Sequence, residues 1–342
     1  MISNTKSKLD SETIRRILKF HFKDVDVESI DELKGGMFNS AYVIRLKQDV
    51  NGFGKNFVLK VSVSPTTKVL TYEKDLMDTE VLVYKKLSAA GIPVPQMIAE
   101  DFSQTIIPYN YFIMTKLSGA EWQQEKKHFS KQDYNDLKFE LGVCLAKIHA
   151  NKGEYFGYIK KDERFHFSTW REAFSAMLKD IVDDGKRDEV KLPFDKIMAA
   201  VNPFMPLLDE IKTPSLVNFD LWAKNIFVKR KGGRYYIEGI IDHERSFYGD
   251  PFADFIASFA IYNDITREPA IRKGYESVTG SSMIITKNDE IRMYLYRIYL
   301  ALIQGVEIYR YSQIMGLGQL FYSRFLLANY LRALKRLKEQ RR

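Results

Sequence analysis

"SLVNFDLWAKNIFV", residues 215–228, decides how the rest of the chain is read. Apolar residues flank a polar turn holding Asp220, Lys224 and Asn225, so a strand-like run is broken and then resumed. Downstream, "YYIEGIIDHERSFYGDP" (235–251) puts Asp242 at the end of a second apolar strand. "KGGR" (231–234) lies between them and is a hairpin turn signal. Two carboxylates and an amide therefore fall on neighbouring strand ends. Hard oxygen donors of this kind suit Mg²⁺, which takes one or two carboxylates and leaves room for phosphate oxygens. The carboxylate that remains can orient a hydroxyl and accept its proton. Each residue also has a purely structural reading, as a turn cap, a left-handed turn position or a strand end. The three in this order favour the chemical one.

Composition sets the frame. The chain has 342 residues, 45% of them hydrophobic and 28% charged, enough for a full core and two lobes. Its one cysteine, Cys144, rules out an internal disulfide framework and a cysteine zinc site, and fits a cytoplasmic setting. No apolar run is long enough to span a bilayer, and no membrane partner is expected. The opening "MISNTKSKLDSETIRRILKF" has no continuous apolar stretch of the signal-peptide kind. It reads as the lead-in to a helix capped by Ser11. Net charge is +8, but "LRALKRLKEQRR" (331–342) carries much of it. A nucleic-acid partner is disfavoured, because it rests on net charge alone.

The pattern changes along the chain. Residues 29–116 read as a sheet of about five strands with one helix over 69–90, ended by Gly91 and the prolines beyond it. From residue 130 onward helices dominate, over 168–184, 194–211, 252–262 and 288–338, with the hairpin of 214–242 embedded. The expected fold is α+β: an N-terminal lobe, 1–116, and a larger helical C-terminal lobe, 117–342.

The N-terminal half supplies what a phosphate-handling site needs. In "LKGGMFNSAYVI" (33–44), Gly35 and Gly36 let backbone approach a phosphate closely, and turn amides can bind it. Lys60 lies inside an apolar strand, where an unpaired charge is costly. Glu80 on the 69–90 helix is its expected partner. Glu73, placed on the same helix face, is the rival.

With these pieces in place, the chain resembles the aminoglycoside phosphotransferase family and its relatives the choline and fructosamine kinases, which share the protein-kinase-like fold. The resemblance rests on "KGGMFNSAYVI", "FVLKV", Glu80, "GIPVPQMI", "YFIMTKLSG", "LGVCLAKIHA", "LVNFDLWAKNIFV" and "IIDHERSFYGDPFADFIAS", and covers roughly residues 30–262. It implies an ATP- and Mg²⁺-dependent kinase acting on a small-molecule hydroxyl, with GTP as an alternative donor. Asp220 would be the catalytic base, Asn225 and Asp242 would hold Mg²⁺, and Lys60 paired to Glu80 would hold the α- and β-phosphates. The 35–40 turn, with Gly35, Gly36, Asn39 and Ser40, would cover the triphosphate. Backbone groups of Thr115 and Leu117 would bind the adenine edge. Asp250 and Asp254 would be structural or would shape the acceptor pocket.

One departure stands out: the family's His-Gly-Asp pattern is Asn218-Phe219-Asp220 here. Two other functions compete, a pseudokinase that binds nucleotide without turnover and the basic nucleic-acid binder. Residues 251–331 are nearly charge-balanced and rich in tyrosine, including Tyr262, Tyr294, Tyr296, Tyr299, Tyr309 and Tyr311. A neutral or singly charged hydroxylated acceptor is therefore expected. Oligomeric state is left open.

Overall fold

The computed structural model describes residues 6–34, 36, 38–256, 261 and 264–339. Gly35 and Tyr262 lie outside these. Helix α1 (Ser11–Phe22) opens the chain, capped by Asp10 rather than Ser11: the Asp10 carboxylate accepts the Thr13 amide at 2.7 Å. Alternating apolar residues then build the strands β1 (Val27–Glu32), β2 (Ser40–Leu46), β3 (Asn56–Val61), β4 (Met97–Asp101) and β5 (Tyr111–Thr115). They form one antiparallel sheet in the order β1-β2-β3-β5-β4. β3 is central, and its register sets Lys60 between Ala41 and Phe112.

Helix α2 (Leu76–Ala89) starts later than the apolar pattern predicts. A short 3₁₀ turn, Thr71–Glu73, and a left-handed Asp75 (φ 57°) precede it. Met77, Val81 and Tyr84 pack on the sheet through Val58, Phe112 and Met114. Leu76, Val83 and Leu87, on the other face, join the large core of the C-terminal half. α2 is thus buried on two sides.

The C-terminal half continues through β6 (Ala120–Glu121), α3 (Trp122–Glu125), α4 (Lys131–Ala150), β7 (Gly157–Tyr158), α5 (Trp170–Arg187) and α6 (Phe194–Val201). Then come β8 (Ser215–Val217), β9 (Ile226–Lys231), β10 (Arg234–Ile240), β11 (Phe247–Gly249), α7 (Pro269–Thr279), α8 (Lys287–Val306) and α9 (Gln313–Glu339). Capping boxes start α4, α5 and α8, where Ser130, Thr169 and Thr286 pair with Asp133, Glu172 and Asp289. The helix expected over 194–211 becomes 3₁₀ from Asn202, where Pro203 and Pro206 interrupt the α-helical ladder. Of the 252–262 helix, the described part is a 3₁₀ segment, Pro251–Ile256. The 288–338 stretch divides at a 3₁₀ turn, Glu307–Arg310, which turns both of those side chains inward. Cys144, on α4, is buried, and burial together with the charge of Glu140 pushes its thiol up to about 12. No described helix is long and apolar enough to cross a membrane.

Candidate active site

Three elements converge on Lys60. β3 presents its ammonium, α2 brings Glu80, and the segment after β10 brings Asp242 and Glu244. Lys60 Nζ donates to Glu80 Oε2 at 2.7 Å, Asp242 Oδ1 at 3.1 Å and Glu244 Oε2 at 3.3 Å. The expected Lys60–Glu80 pair is therefore present. Glu73 is not a rival. It sits before α2, not on it, and its buried carboxylate is held by Arg310 and Tyr309 from the other half of the molecule.

Burial alone would strip the proton from Lys60, but Asp242, Glu80 and Glu244 outweigh it and hold the ammonium well above its usual pKa. Asp242 is pushed up by burial and pulled further down by the charge and hydrogen bond of Lys60, so it stays ionised. Burial raises Glu80 to about 8, against the pull of Lys60, and raises Glu244 also. Burial is the main cause, and the neighbouring carboxylates, three sharing one ammonium, add to it. These three carboxylates have oxygens within 4.8 Å of one another, spacing a single cation can bridge. Glu244 was not identified from sequence. Its signal was an acid two positions beyond Asp242.

Asp220 lies on the turn between β8 and β9. Asn225 Nδ2 donates to its carbonyl at 2.9 Å and to its Oδ2 at 3.2 Å, leaving Asn225 Oδ1 as the atom able to face a metal. The Ile241 amide donates to the Asn225 carbonyl at 2.9 Å, tying the turn to the Asp242 strand end. Burial first, and then Asp242, Glu244 and Glu307, raise Asp220 to about 7 against the lowering charge of Arg245. A carboxylate poised there can take a proton near neutral pH.

The Asn218-Phe219 substitution is accommodated in detail. Asn218 Oδ1 accepts the Asp220 amide at 2.9 Å, and its Nδ2 donates to His243 Nδ1 at 2.7 Å. His243 Nε2 faces the Ile240 carbonyl at 3.2 Å, which assigns the proton to Nε2. Burial lowers His243 to about 4, so it is neutral and can accept from Asn218. Phe219 adopts a left-handed φ of 61°, unfavourable for a bulky side chain. Its ring is anchored in the core, 5.2 Å from Phe247 and 5.8 Å from Tyr299 between centroids. Asp254 fixes the turn from beneath, accepting the Asn218 amide at 3.0 Å, the Phe219 amide at 2.7 Å and His149 Nε2 at 2.9 Å. Asp250 is equally buried, held by Arg292 Nε at 2.9 Å and the Tyr296 hydroxyl at 2.7 Å. Both aspartates are fully buried, their carboxylates engaged within the fold.

In the glycine-containing turn, Asn39 Nδ2 donates to Glu244 Oε2 at 3.0 Å. Ser40 Oγ is buried with no hydrogen-bond partner among the described residues. A Cβ on Gly36 would meet only the Asn39 carbonyl, at an ordinary 3.5 Å, so folding alone does not demand glycine there. The Thr115 amide donates to the Gln96 carbonyl at 2.9 Å, and the Gln96 amide donates to the Thr115 hydroxyl at 3.0 Å. Leu117 follows on the connector, beside Gly239.

The family model described as "Phosphotransferase enzyme family" matches residues 30–284. No curated protein sequence matches. Among solved structures, one similar chain is a putative aminoglycoside phosphotransferase from Ralstonia eutropha JMP134, at TM-score 0.61 and 15% identity, covering 96% of this chain and 99% of that one. A thermostable mutant of aminoglycoside phosphotransferase APH(4)-Ia, in ternary complex with AMP-PNP and hygromycin B, matches at TM-score 0.61 and 17% identity, covering 94% and 98%. A streptomycin–ATP–APH(2″)-IIa ternary complex matches at TM-score 0.56 and 17% identity, covering 92% and 97%. The shared architecture is the kinase-like one, an antiparallel N-terminal sheet lobe and a helical C-terminal region.

Proposed function

Because the chain belongs to the phosphotransferase enzyme family, we propose that it transfers the γ-phosphoryl group of ATP, as its Mg²⁺ complex, to a hydroxyl of a small molecule. The lobe boundary falls at 116/117. The observation that carries this reading is the convergence of Lys60, Glu80, Asp242 and Glu244, with Asp220 and Asn225 on the adjoining turn. Three carboxylates around one ammonium leave an excess of negative charge that suits a divalent cation, and Asp242 with Asn225 Oδ1 would be its protein ligands. Bound there, Mg²⁺ would neutralise charge on the phosphates during transfer. Lys60 holds the α- and β-phosphates, and Glu80 keeps its ammonium in place. Ser40 Oγ, buried without a partner among the described residues, and the backbone amides of Gly36 and Asn39 would hold the triphosphate, as would Gly35, which lies outside the described residues. Thr115 uses its amide within the sheet, so its carbonyl and the backbone of Leu117 serve the base. Asp220 orients the acceptor hydroxyl and takes its proton as the oxygen attacks.

The acceptor is neutral or singly charged. A polycation needs carboxylates that replace water around each ammonium. Glu307, among the acids acting on Asp220, is already engaged by Arg245 at 3.0 Å, the Tyr72 hydroxyl at 3.2 Å and Arg310 at 3.5 Å. ADP release should be measured with ATP and GTP against sugars, amino alcohols, choline, glycated amines, macrolides and aminoglycosides. Turnover that needs Mg²⁺ and disappears in Asp220→Asn supports the reading. Micromolar KM for a kanamycin- or neomycin-type compound would overturn the acceptor assignment. Nucleotide binding with no turnover for any acceptor would favour a pseudokinase.

A further inference from the structure

Helix α9 carries an apolar surface that the phosphotransferase reading does not use. Ile314, Met315, Leu317, Phe321, Tyr322 and Phe325 are all exposed, with Ile314 at 85%, Phe321 at 65% and Phe325 at 62%. Its opposite side is spent on packing: Gly316, Leu320, Ser323, Leu327 and Leu334 are buried, and Ser323 Oγ donates to the Ala301 carbonyl of α8 at 2.7 Å. The exposed apolar residues are therefore not a core face that has missed its partner.

Helical phase shows what continues this surface. Eighteen residues, about five turns at 3.6 per turn, separate Ile314 from Arg332 and Leu317 from Lys335. The outward face thus runs from isoleucine, leucine and phenylalanine into arginine and lysine without rotating. Arg332, Lys335 and Arg336 lie on this face, are exposed, and form no ion pair among the described residues; Lys338, in phase with Leu320, is exposed on the other side. The one acid of α9 is Glu339, at its end. Over its roughly 40 Å the helix offers a greasy first half and a cationic second half on one side.

We propose that α9 docks the protein on an anionic membrane surface. The first-half side chains enter the headgroup–acyl boundary, and the second-half cations lie over acidic headgroups. A second copy of the chain could cover the apolar half but would leave the basic half unexplained. One lipid surface accounts for both halves. The absence of a spanning run in the sequence bore only on crossing a bilayer, and this is attachment from one side.

The test is sedimentation of the full chain with vesicles. Phosphatidylcholine mixed with about one third phosphatidylglycerol is compared with phosphatidylcholine alone. Binding should be about tenfold weaker, or more, on the neutral vesicles and should fall with salt. Phe321→Ser with Phe325→Ser should abolish it, and so should Arg332→Glu with Arg336→Glu. All four positions are exposed, so thermal unfolding should stay at the wild-type temperature, as should any turnover in solution. Failure to bind the acidic vesicles, or equal binding to both compositions, would overturn the proposal. So would a dimer in sedimentation velocity that the phenylalanine variant dissolves, in a protein that ignores vesicles.

Discussion

At the scale of single residues, Asp220 shows how a site can be set against the fold that holds it. Burial lifts its carboxyl to about 7. In the unfolded chain it titrates near the ordinary carboxylate value. The folded state therefore holds the proton more tightly, and the associated stability is present at low pH and lost as pH rises through about 7. Asp220→Asn should cut kcat by about 10²–10⁴ while nucleotide affinity stays near wild type. The same variant should unfold at a higher temperature than wild type at pH 8, with the difference shrinking toward pH 4. Wild-type kcat/KM should fall as pH drops below about 7. Calorimetry and a pH–rate profile together check this, and an unchanged kcat would remove Asp220 from the chemistry. Lys60 and Glu80 form a second residue-scale case. Lys60→Ala and Glu80→Ala should each lower kcat/KM, and the double variant should lose less than the two losses combined, because one contact is removed twice. The Lys60–Glu80 pair was legible because a charge inside an apolar strand needs a partner, and the turn with Asp220 and Asn225 was legible because it breaks a strand-like run ahead of the strand that ends at Asp242. Glu244 and Arg245 were not, since a third acid and an arginine after a strand look like an ordinary surface until burial is known.

At the scale of elements, the turn from β8 to β9 is held by its surroundings more than by its own preferences. A phenylalanine with φ of 61° costs of order 1–3 kcal/mol. Its buried ring offsets that, because truncating a core phenylalanine costs about 3–5 kcal/mol. Phe219→Gly, which relieves the backbone and empties the core, should therefore destabilise by about 2 kcal/mol in urea unfolding. A neutral or stabilising result would mean that the ring contributes little. Asp254 answers two turn amides at once, so Asp254→Ala should lower kcat although Asp220 is untouched. The sheet, the hairpin and the break before Pro93 were readable from alternation and turn residues. The late start of α2 was not, because the 3₁₀ turn at Thr71 that precedes it is held by Asp184, whose carboxylate accepts the Thr71 amide at 2.5 Å across more than a hundred residues. The end of α6 yielded to proline, and the split near 307 to side chains drawn inward by partners far away in sequence.

At the scale of the whole molecule, the two halves are joined through buried charge as well as through α2. Glu73 and Arg310 are both almost fully buried and meet across the halves, and Lys160 donates to the Tyr72 carbonyl at 2.8 Å. Arg310 also lies 4.6 Å from the ring centre of Phe38, in the glycine-containing turn. Arg310→Met leaves Glu73 buried without its cation and should cost about 3–5 kcal/mol. Differential scanning calorimetry should show the loss, together with a weaker affinity for nucleotide as the turn loses its anchor. The two-lobed arrangement was legible from the change of periodicity along the chain. The ionic joint was not, because Glu73 and Arg310 each resemble surface residues in their local context.

The burial of Cys144 makes the protein convenient for spectroscopy. With its thiol near 12 and inside the core, the wild type should stay silent toward a disulfide reagent at pH 8 until it unfolds globally, so the reaction rate times global opening. A cysteine introduced by Lys34→Cys beside the glycine-containing turn, or by Lys335→Cys on α9, would then be the sole site to accept a spin label or fluorophore. Nucleotide binding beside the turn, and the depth of α9 against a vesicle, could each be followed by one probe without first removing a native thiol.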